Sequence, residues 1–382
     1  MKIVHVILTG PYTLNMTYQE NLLIEQNVKD GHEVVVIASC DVHQNQEIVH
    51  VPEEDRYLQE GYRLIRLPYR FHRISAFLGR KIRAVKGLRQ WMESIRPDVV
   101  FHHGLQSYAL NDLVKYKKKH PTTRLFVDSH EDFHNSATTW LSKNVLHKGF
   151  YRPIIRRALA SIDKVFYVTY ESVSFLKTLY GIEETHMEYY PLGGMILPET
   201  ERVQRRQTMR EALGFVDMDL VCVHTGKMNE DKRTLDLLEV FSSVKHPHLK
   251  LLIVGVFDPK IHDQAHALMS QDARITYAGW KNAKELMDYL VAADLYLQPG
   301  SQSATMQNAL CLGCAAAVYP FESHRYLLGD AVSYVQSNDD LRELLQRMLV
   351  SPHVLASSKK AAYTLALNTL DYRILAKRLY EI

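Results

Sequence analysis

Cysteine is scarce in this chain: Cys40, Cys222, Cys311 and Cys314 are the four among 382 residues. The last two form a CLGC, yet there is no second CxxC and no paired histidine motif to complete a zinc site. The neighbours Leu310, Leu312 and Ala315 point instead to core packing. Such usage reads as a reduced, cytoplasmic protein. No stretch approaches the apolar length that spans a bilayer, and Met1–Ala38 holds no charged leader followed by an apolar run and a cleavage site. The net charge of +3 is too small to argue for nucleic acid. GxGxxG is missing from the first strand–turn–helix, which counts against a dinucleotide cofactor, and HExxH is missing too, so no metal is expected.

What is present is ordinary globular material, 46% hydrophobic and 23% charged, in a chain long enough for two domains of roughly 150–200 residues. Lys2–Leu8 reads as a strand, Thr9-Gly10-Pro11 as a turn, Thr17–Asp30 as a helix closed by Gly31, and His32–Ser39 as the next strand. Pro97–Gly104, Leu125–Asp132, Lys164–Thr169 and Met187–Tyr190 continue the series. A polar stretch from Pro198 to Arg210 reads as a linker. A second strand–helix alternation follows: strands at Val221–His224, Lys250–Val254, Ile275–Ala278, Leu295–Gln298 and Ala316–Tyr319, with helices at Thr234–Val244, Ala283–Ala292 and Ala304–Leu312. The fold class is α/β, two Rossmann-like doubly wound domains facing each other across a cleft. Expected bounds are residues 1–196 and 197–365, with 366–382 a last helix crossing back to the first domain.

Helical spacing of Phe71, Ile74, Leu78, Ile82, Val85 and Leu88, with Arg70, Arg73, Arg80, Lys81, Arg83, Lys86 and Arg89 between them, predicts one basic amphipathic helix over Phe71–Ile95. It suits an anionic membrane surface; the alternative is a helix with its apolar side in the core.

Four stretches carry chemistry. In VCVHTGKMNEDKR, Gly226 permits a sharp exit from a buried strand, and Lys227 and Lys232 project from the loop before a helix start. Two ammonium groups beside unpaired N–H groups form an anion site; a solvated basic loop is the alternative. PGSQSATMQN runs from a strand into a helix with Ser301, Ser303 and Thr305 as caps or hydroxyl donors, so that amides near Ala304 would face a ligand. His103 and the run His130, Glu131, Asp132 end two strands of the first half, where ligands of open α/β sheets bind.

These stretches resemble the GT-B glycosyltransferases, specifically the retaining, metal-independent enzymes of family 4 (glycosyl transferases group 1), with features of bacterial surface-polysaccharide members. Gly226-Lys227-Met228 and Lys232-Arg233 stand where the family has Gly-Arg-Leu and a following lysine. The resemblance makes Lys227 and Lys232 the grip on the donor diphosphate, PDVVFHHG a match to PDVxHxHG with His103 at its second histidine, and His130 the histidine near the transferred sugar. Gly10 stands for the N-terminal glycine-rich turn. Asn308–Gly313 is similar to Glu-Ala-Met-Ala-x-Gly, where Gly300 and Asn308 replace two glutamates. Asn308 or Gln307 is left to bind a ribose through its amide, and the Ser301–Thr305 loop to substitute for the sugar-side carboxylate.

The resemblance implies a nucleotide-sugar donor, UDP-linked, with a glycan or lipid-linked acceptor at the side of His103, Glu131 and Asp132. The location implied is cytoplasmic, peripheral on the inner face of the membrane. His130, Lys227 and Lys232 would be catalytic. The missing acids leave two alternatives: a catalytically silent GT-B subunit binding a glycan or partner, or a nucleotide-sugar epimerase.

Overall fold

The computed structural model describes residues 1–44, 47–72 and 74–381, which divide into two compact units. The first comprises Met1–Pro191 together with the residues from Leu375 on, the second Leu192–Ile374.

In the first unit the strands are β1 (Lys2–Ile7), β2 (Glu33–Ser39), β3 (Asp41–Gln44), β4 (Glu47–His50), β5 (Glu54–Tyr57), β6 (Arg63–Leu67), β7 (Val99–His103), β8 (Arg124–Ser129), β9 (Lys164–Tyr167) and β10 (Met187–Tyr189). Eight of them form one sheet in the order β10-β9-β8-β7-β1-β2-β6-β5, parallel except for β5 on β6. Alternate residues of β1 serve opposite cores: Val4 and Val6 pack with Val100, Leu125 and Ile155, whereas Ile7 packs with Tyr12, Ile24 and Val36. Burial of both faces is why these strands read as unbroken apolar runs. β3 and β4 pair only with each other among the described residues, a hairpin outside the main sheet.

The second unit contains β11 (Leu220–Met228), β12 (Leu249–Phe257), β13 (Ile275–Gly279), β14 (Leu295–Gln298), β15 (Ala315–Val318) and β16 (Ser333–Tyr334). Their order is β13-β12-β11-β14-β15-β16, all parallel, the 3-2-1-4-5-6 arrangement of a doubly wound nucleotide-binding sheet. The four cysteines are free and buried, and burial raises the thiols of Cys40 and Cys314 to about 11 and 12.

Three expectations change. The basic helix over Phe71–Ile95 is two short helices, Ala76–Ile82 and Leu88–Ile95, because Arg83 turns left-handed (φ 56°) and Val85 pairs with Tyr69 in an isolated bridge. Leu88, Met92 and Ile95 enter the core, while Ile74, Phe77 and Leu78 remain exposed; Arg73 lies outside the described residues. The stretch over Pro198–Arg210 is not a linker: Glu199–Ala212 is a helix. Arg206 and Arg210 hold it in place by reaching the buried Asp294 at 2.6 and 3.2 Å, where Lys359 adds a third contact at 2.8 Å. Finally, β11 extends through Met228, so Gly226 and Lys227 pair with Gly255 and Val256 of β12 and do not belong to a loop.

The last helix, Tyr372–Lys377, leads the chain back onto the first unit. Tyr190 donates its hydroxyl to Leu375 O at 2.6 Å, and Arg378 donates to Glu188 and to Tyr189 O at 2.5 and 2.6 Å.

Candidate active site

Strand order reverses between β1 and β7 in the first unit and between β11 and β14 in the second. In an open α/β sheet the carboxyl ends at such a reversal diverge and leave a crevice for ligand. Each unit has its own group of polar residues at that place.

In the first unit the ends of β1 and β7 are drawn together. Thr9 donates its hydroxyl to His103 O at 2.7 Å, and Gly104 (φ 98°) passes so near that a Cβ would lie 2.2 Å from the Thr9 methyl. This approach aligns a run of buried groups. Asn27 Oδ1 is 2.9 Å from His5 Nε2, His5 Nδ1 is 3.0 Å from His103 Nε2, and His103 Nδ1 is 3.1 Å from Asp128 Oδ2. Asp128 Oδ1 also accepts from Gly104 N at 2.6 Å. At the outer end His130 places Nε2 3.4 Å from Asp128 Oδ2, with 42% of its side chain exposed.

These positions set the charges. Burial favours neutral His5 and lowers it to about 3, with the neighbouring His103 acting in the same direction. Burial likewise lowers His102 to about 4 even though Val6 O faces its Nδ1, so His102 is a structural neighbour of the site. For His130 the desolvation that would lower it is outweighed by the Asp128 carboxylate, which raises it to about 9. Asp128 responds reciprocally: burial alone would raise it, but His130 and His103 hold it well below the usual carboxylate range. His130 is therefore an imidazolium at neutral pH, a hydrogen-bond donor and a positive charge; a general base needs the neutral ring.

The two acidic residues after it divide in role. Asp132 Oδ1 accepts from the amides of His134 and Asn135 at 2.7 and 3.0 Å, so it shapes its own turn. Glu131 accepts from Ser129 Oγ at 3.0 Å and lines a polar cavity of about 220 Å³ with Arg83, Asn135, Ser142 and His147. At Gly10 a Cβ would meet nothing within 4 Å, so the turn itself does not require glycine there.

In the second unit the site is built on two glycines. Gly226 (φ 119°) leaves room for Lys232, whose Cε would stand 3.1 Å from a Cβ at 226. Gly300 lets the loop after β14 rest on the backbone of Asp231 and Lys232, and Ser301 N donates to Asp231 O at 2.8 Å. A Cβ at 300 would be 2.2 Å from Asp231 O, which is why a glutamate has no room at this place. Asn229 caps the turn by accepting from Lys232 N at 3.1 Å, and Arg233 (φ 54°) opens the helix Thr234–Ser243.

Lys232 is 9% exposed and its ammonium has no ion pair among the described residues; burial lowers its pKa. Lys227 is exposed. The two ammonium groups thus differ, one desolvated and poised, the other in water. The helix-start amides are less available than the sequence suggests. Of the amides of Ala304, Thr305 and Met306, Thr305 N faces Ser303 Oγ at 3.4 Å and Met306 N donates to Ser303 O at 3.2 Å, which leaves Ala304 N among the described contacts. Asn308 is half-buried, and Gln307 has its Oε1 shut off from solvent without a partner among the described residues.

Sequence reasoning missed Asp128, His5 and Gln298. Asp128 lies two residues before His130, a spacing that puts residues of a strand on one side, so that signal was available. Gln298, at the end of β14, is 1% exposed with both amide atoms unpartnered among the described residues. Nothing in its local sequence indicates this.

Residues 19–193 match the family model described as a glycosyl transferase 4-like domain, and residues 205–364 match that of the glycosyl transferases group 1. No curated protein matches in sequence. Among solved structures, sucrose-phosphate synthase from Thermosynechococcus elongatus superposes with a TM-score of 0.69 at 13% identity, over 100% of this chain and 98% of that one. HepE from Anabaena, solved with UDP, gives 0.67 at 12% identity over 100% and 99%. The catalytic domain of starch synthase IV from Arabidopsis thaliana, bound to ADP and acarbose, gives 0.67 at 11% over 100% of each chain. At these identities the likeness is one of fold.

Proposed function

Since the chain belongs to the glycosyltransferases of the two-domain GT-B kind, with nucleotide-sugar transfer as its chemistry, we propose that it transfers a sugar from a UDP-linked donor to a hydroxyl of a glycan or lipid-linked acceptor, with retention and without a metal, in surface polysaccharide assembly. The observation that carries this reading is Lys232, a desolvated ammonium without a counter-ion among the described residues, at the strand-order reversal of the second unit. Such a charge lacks only an anion. A departing diphosphate supplies one as the bond from C1 to the phosphate oxygen breaks, and Lys232, assisted by Lys227, stabilises it. The acceptor oxygen bonds to C1 on the same face and its proton passes to the leaving phosphate oxygen. His130, as an imidazolium, donates to a sugar or acceptor hydroxyl, and the cavity beside Glu131 receives acceptor hydroxyls. HepE, solved with UDP, UDP and glucose, and UDP-glucose, supports uracil as the base.

The test is thermal stability with UDP, GDP and ADP in turn. Binding to the native state alone stabilises by about 2.7 kcal/mol at a ligand concentration of 100 times Kd, so UDP should raise the melting temperature by several degrees and GDP and ADP less. A flat response to all three favours a silent subunit. Conversion of the nucleotide sugar with no acceptor present favours an epimerase.

We place the protein in the cytoplasm, peripheral on the membrane. Exposed Ile74, Phe77 and Leu78 beside Lys81 support this, while among the described residues no helix is long and apolar enough to cross a membrane. Replacing Ile74 and Phe77 with glutamate should release the protein from anionic liposomes at low salt, because apolar contact and charge attraction are lost together. Equal sedimentation of variant and parent would rule the surface out.

A further inference from the structure

Among the described residues one group of three side chains brings potential metal ligands together, and it lies apart from the residues assigned above. Asp41 opens β3, His50 closes β4, and His72 sits in the turn after β6; one ligand atom from each lies within 4.8 Å of the others. We propose that Asp41, His50 and His72 bind a single first-row divalent cation of the zinc class, fastening the β3–β4 hairpin to the turn at His72. This goes beyond the metal-free transfer proposed above and leaves that reaction unchanged.

The geometry suits an ion. Asp41 and His50 are register partners across the hairpin, with Oδ1 and Nδ1 3.1 Å apart. Two ligands of a tetrahedral zinc, each about 2.1 Å from the metal, lie roughly 3.4 Å from one another. The ring of His72 stacks on that of His50 at 3.7 Å between centroids and 12° between planes. Its Nδ1 is shut off from solvent and has no hydrogen-bond partner among the described residues. A buried imidazole nitrogen left unpaired is costly, and a metal bond satisfies it. Asp41, 3% exposed in its side chain, gives its second oxygen to Arg80 Nε at 2.7 Å, the outer contact that fixes the direction of a ligating carboxylate.

Two imidazoles and one carboxylate select a borderline ion such as Zn²⁺ or Co²⁺, and not Mg²⁺ or Ca²⁺, which require oxygen. The hairpin has reason to need fastening. Two strands paired only with each other are marginal in water, and β3 and β4 have no other strand partner among the described residues. Bound metal would also set the start of the helix Ala76–Ile82, two residues after the exposed Ile74.

The full-length protein, stripped with a chelator, is titrated with Co²⁺ and read by visible absorption. One saturable equivalent is expected, displaced by equimolar Zn²⁺ and indifferent to excess Mg²⁺. Loss of one ligand in His50→Ala or His72→Ala should weaken binding about 100-fold or more, since even outer-contact changes cost 10–100-fold. His72→Gln, which keeps the volume, is the second variant should the alanine form melt early. Amide exchange adds an independent readout: Zn²⁺ should slow exchange in Asp41–Gln44 and Glu47–His50 in the parent but not in His72→Gln. The rings of His262 and His266, 4.4 Å apart on one helix, are the competing place for an ion. His262→Ala/His266→Ala should bind Co²⁺ like the parent. Loss of binding in that double variant, or unchanged binding in His72→Gln, would overturn the proposal.

Discussion

Exchanging Lys232 for methionine is expected to lower turnover about 10²–10³-fold, the usual effect of removing one preorganised group that stabilises developing charge, while the ligand-free protein melts no lower than the parent. The two halves of this expectation share a cause. In the absence of nucleotide the Lys232 ammonium is desolvated without a counter-ion among the described residues, and burying an unpaired charge opposes folding. Methionine keeps the apolar stem that lies over Gly226 and removes the charge. The same residue therefore lowers the stability of the empty protein and raises that of the complex. UDP should produce little thermal shift in this variant. If Lys232→Met unfolds several degrees early yet turns over normally, the lysine is a packing residue and the diphosphate site lies elsewhere.

Asp128→Asn should reduce activity at pH 8 by about 10²-fold, within the range for loss of one positioned proton donor, and should displace the alkaline limb of the pH profile. In the parent, desolvation pulls His130 down but Asp128 carries it to about 9, so the ring stays charged through neutral pH. With asparagine the largest raising influence is gone, while desolvation and the smaller raising effects of Glu20 and Glu131 remain, so His130 loses its proton at a lower pH than in the parent. The parent profile should fall near pH 9 and the variant profile at clearly lower pH. Stability follows from the same signs. The raised His130 contributes fully below pH 6.5 and loses its contribution as pH climbs through about 9. The depressed Asp128 contributes above the ordinary carboxylate range and loses that contribution only in strong acid. A variant that merely melts earlier, with its alkaline limb still near 9, would make Asp128 a structural residue and not a positioning one.

The parallel sheets were legible because both their faces are buried: β1, β2, β7, β11 and β12 appear as apolar runs whatever surrounds them. That His130 follows a strand end and Lys232 lies in a strand-to-helix turn was legible for a related reason, since the apolar runs before them mark the strands. What escaped depends on partners far along the chain. The helix Glu199–Ala212 is polar enough to read as a linker, and its anchor, Asp294, lies more than eighty positions away from Arg206. The helix over Phe71–Ile95 failed at Val85, where pairing with Tyr69 prevailed over the periodic pattern. The β3–β4 hairpin, DVHQ and EIVH, alternates too briefly and is too polar to register. Gly300 was seen as a missing glutamate; only the contact with Asp231 shows that the backbone needs the space.

The return of the chain to the first unit has a consequence for biosynthesis. Residues 192–374 are contiguous, whereas the first unit is completed by the segment starting at Leu375, which contacts Glu188, Tyr189 and Tyr190 and reaches Asp30 through Tyr380. As the polypeptide emerges from the ribosome, the portion made second can therefore finish folding first. The portion made first must wait, one edge uncovered, until the segment from Leu375 on has been made.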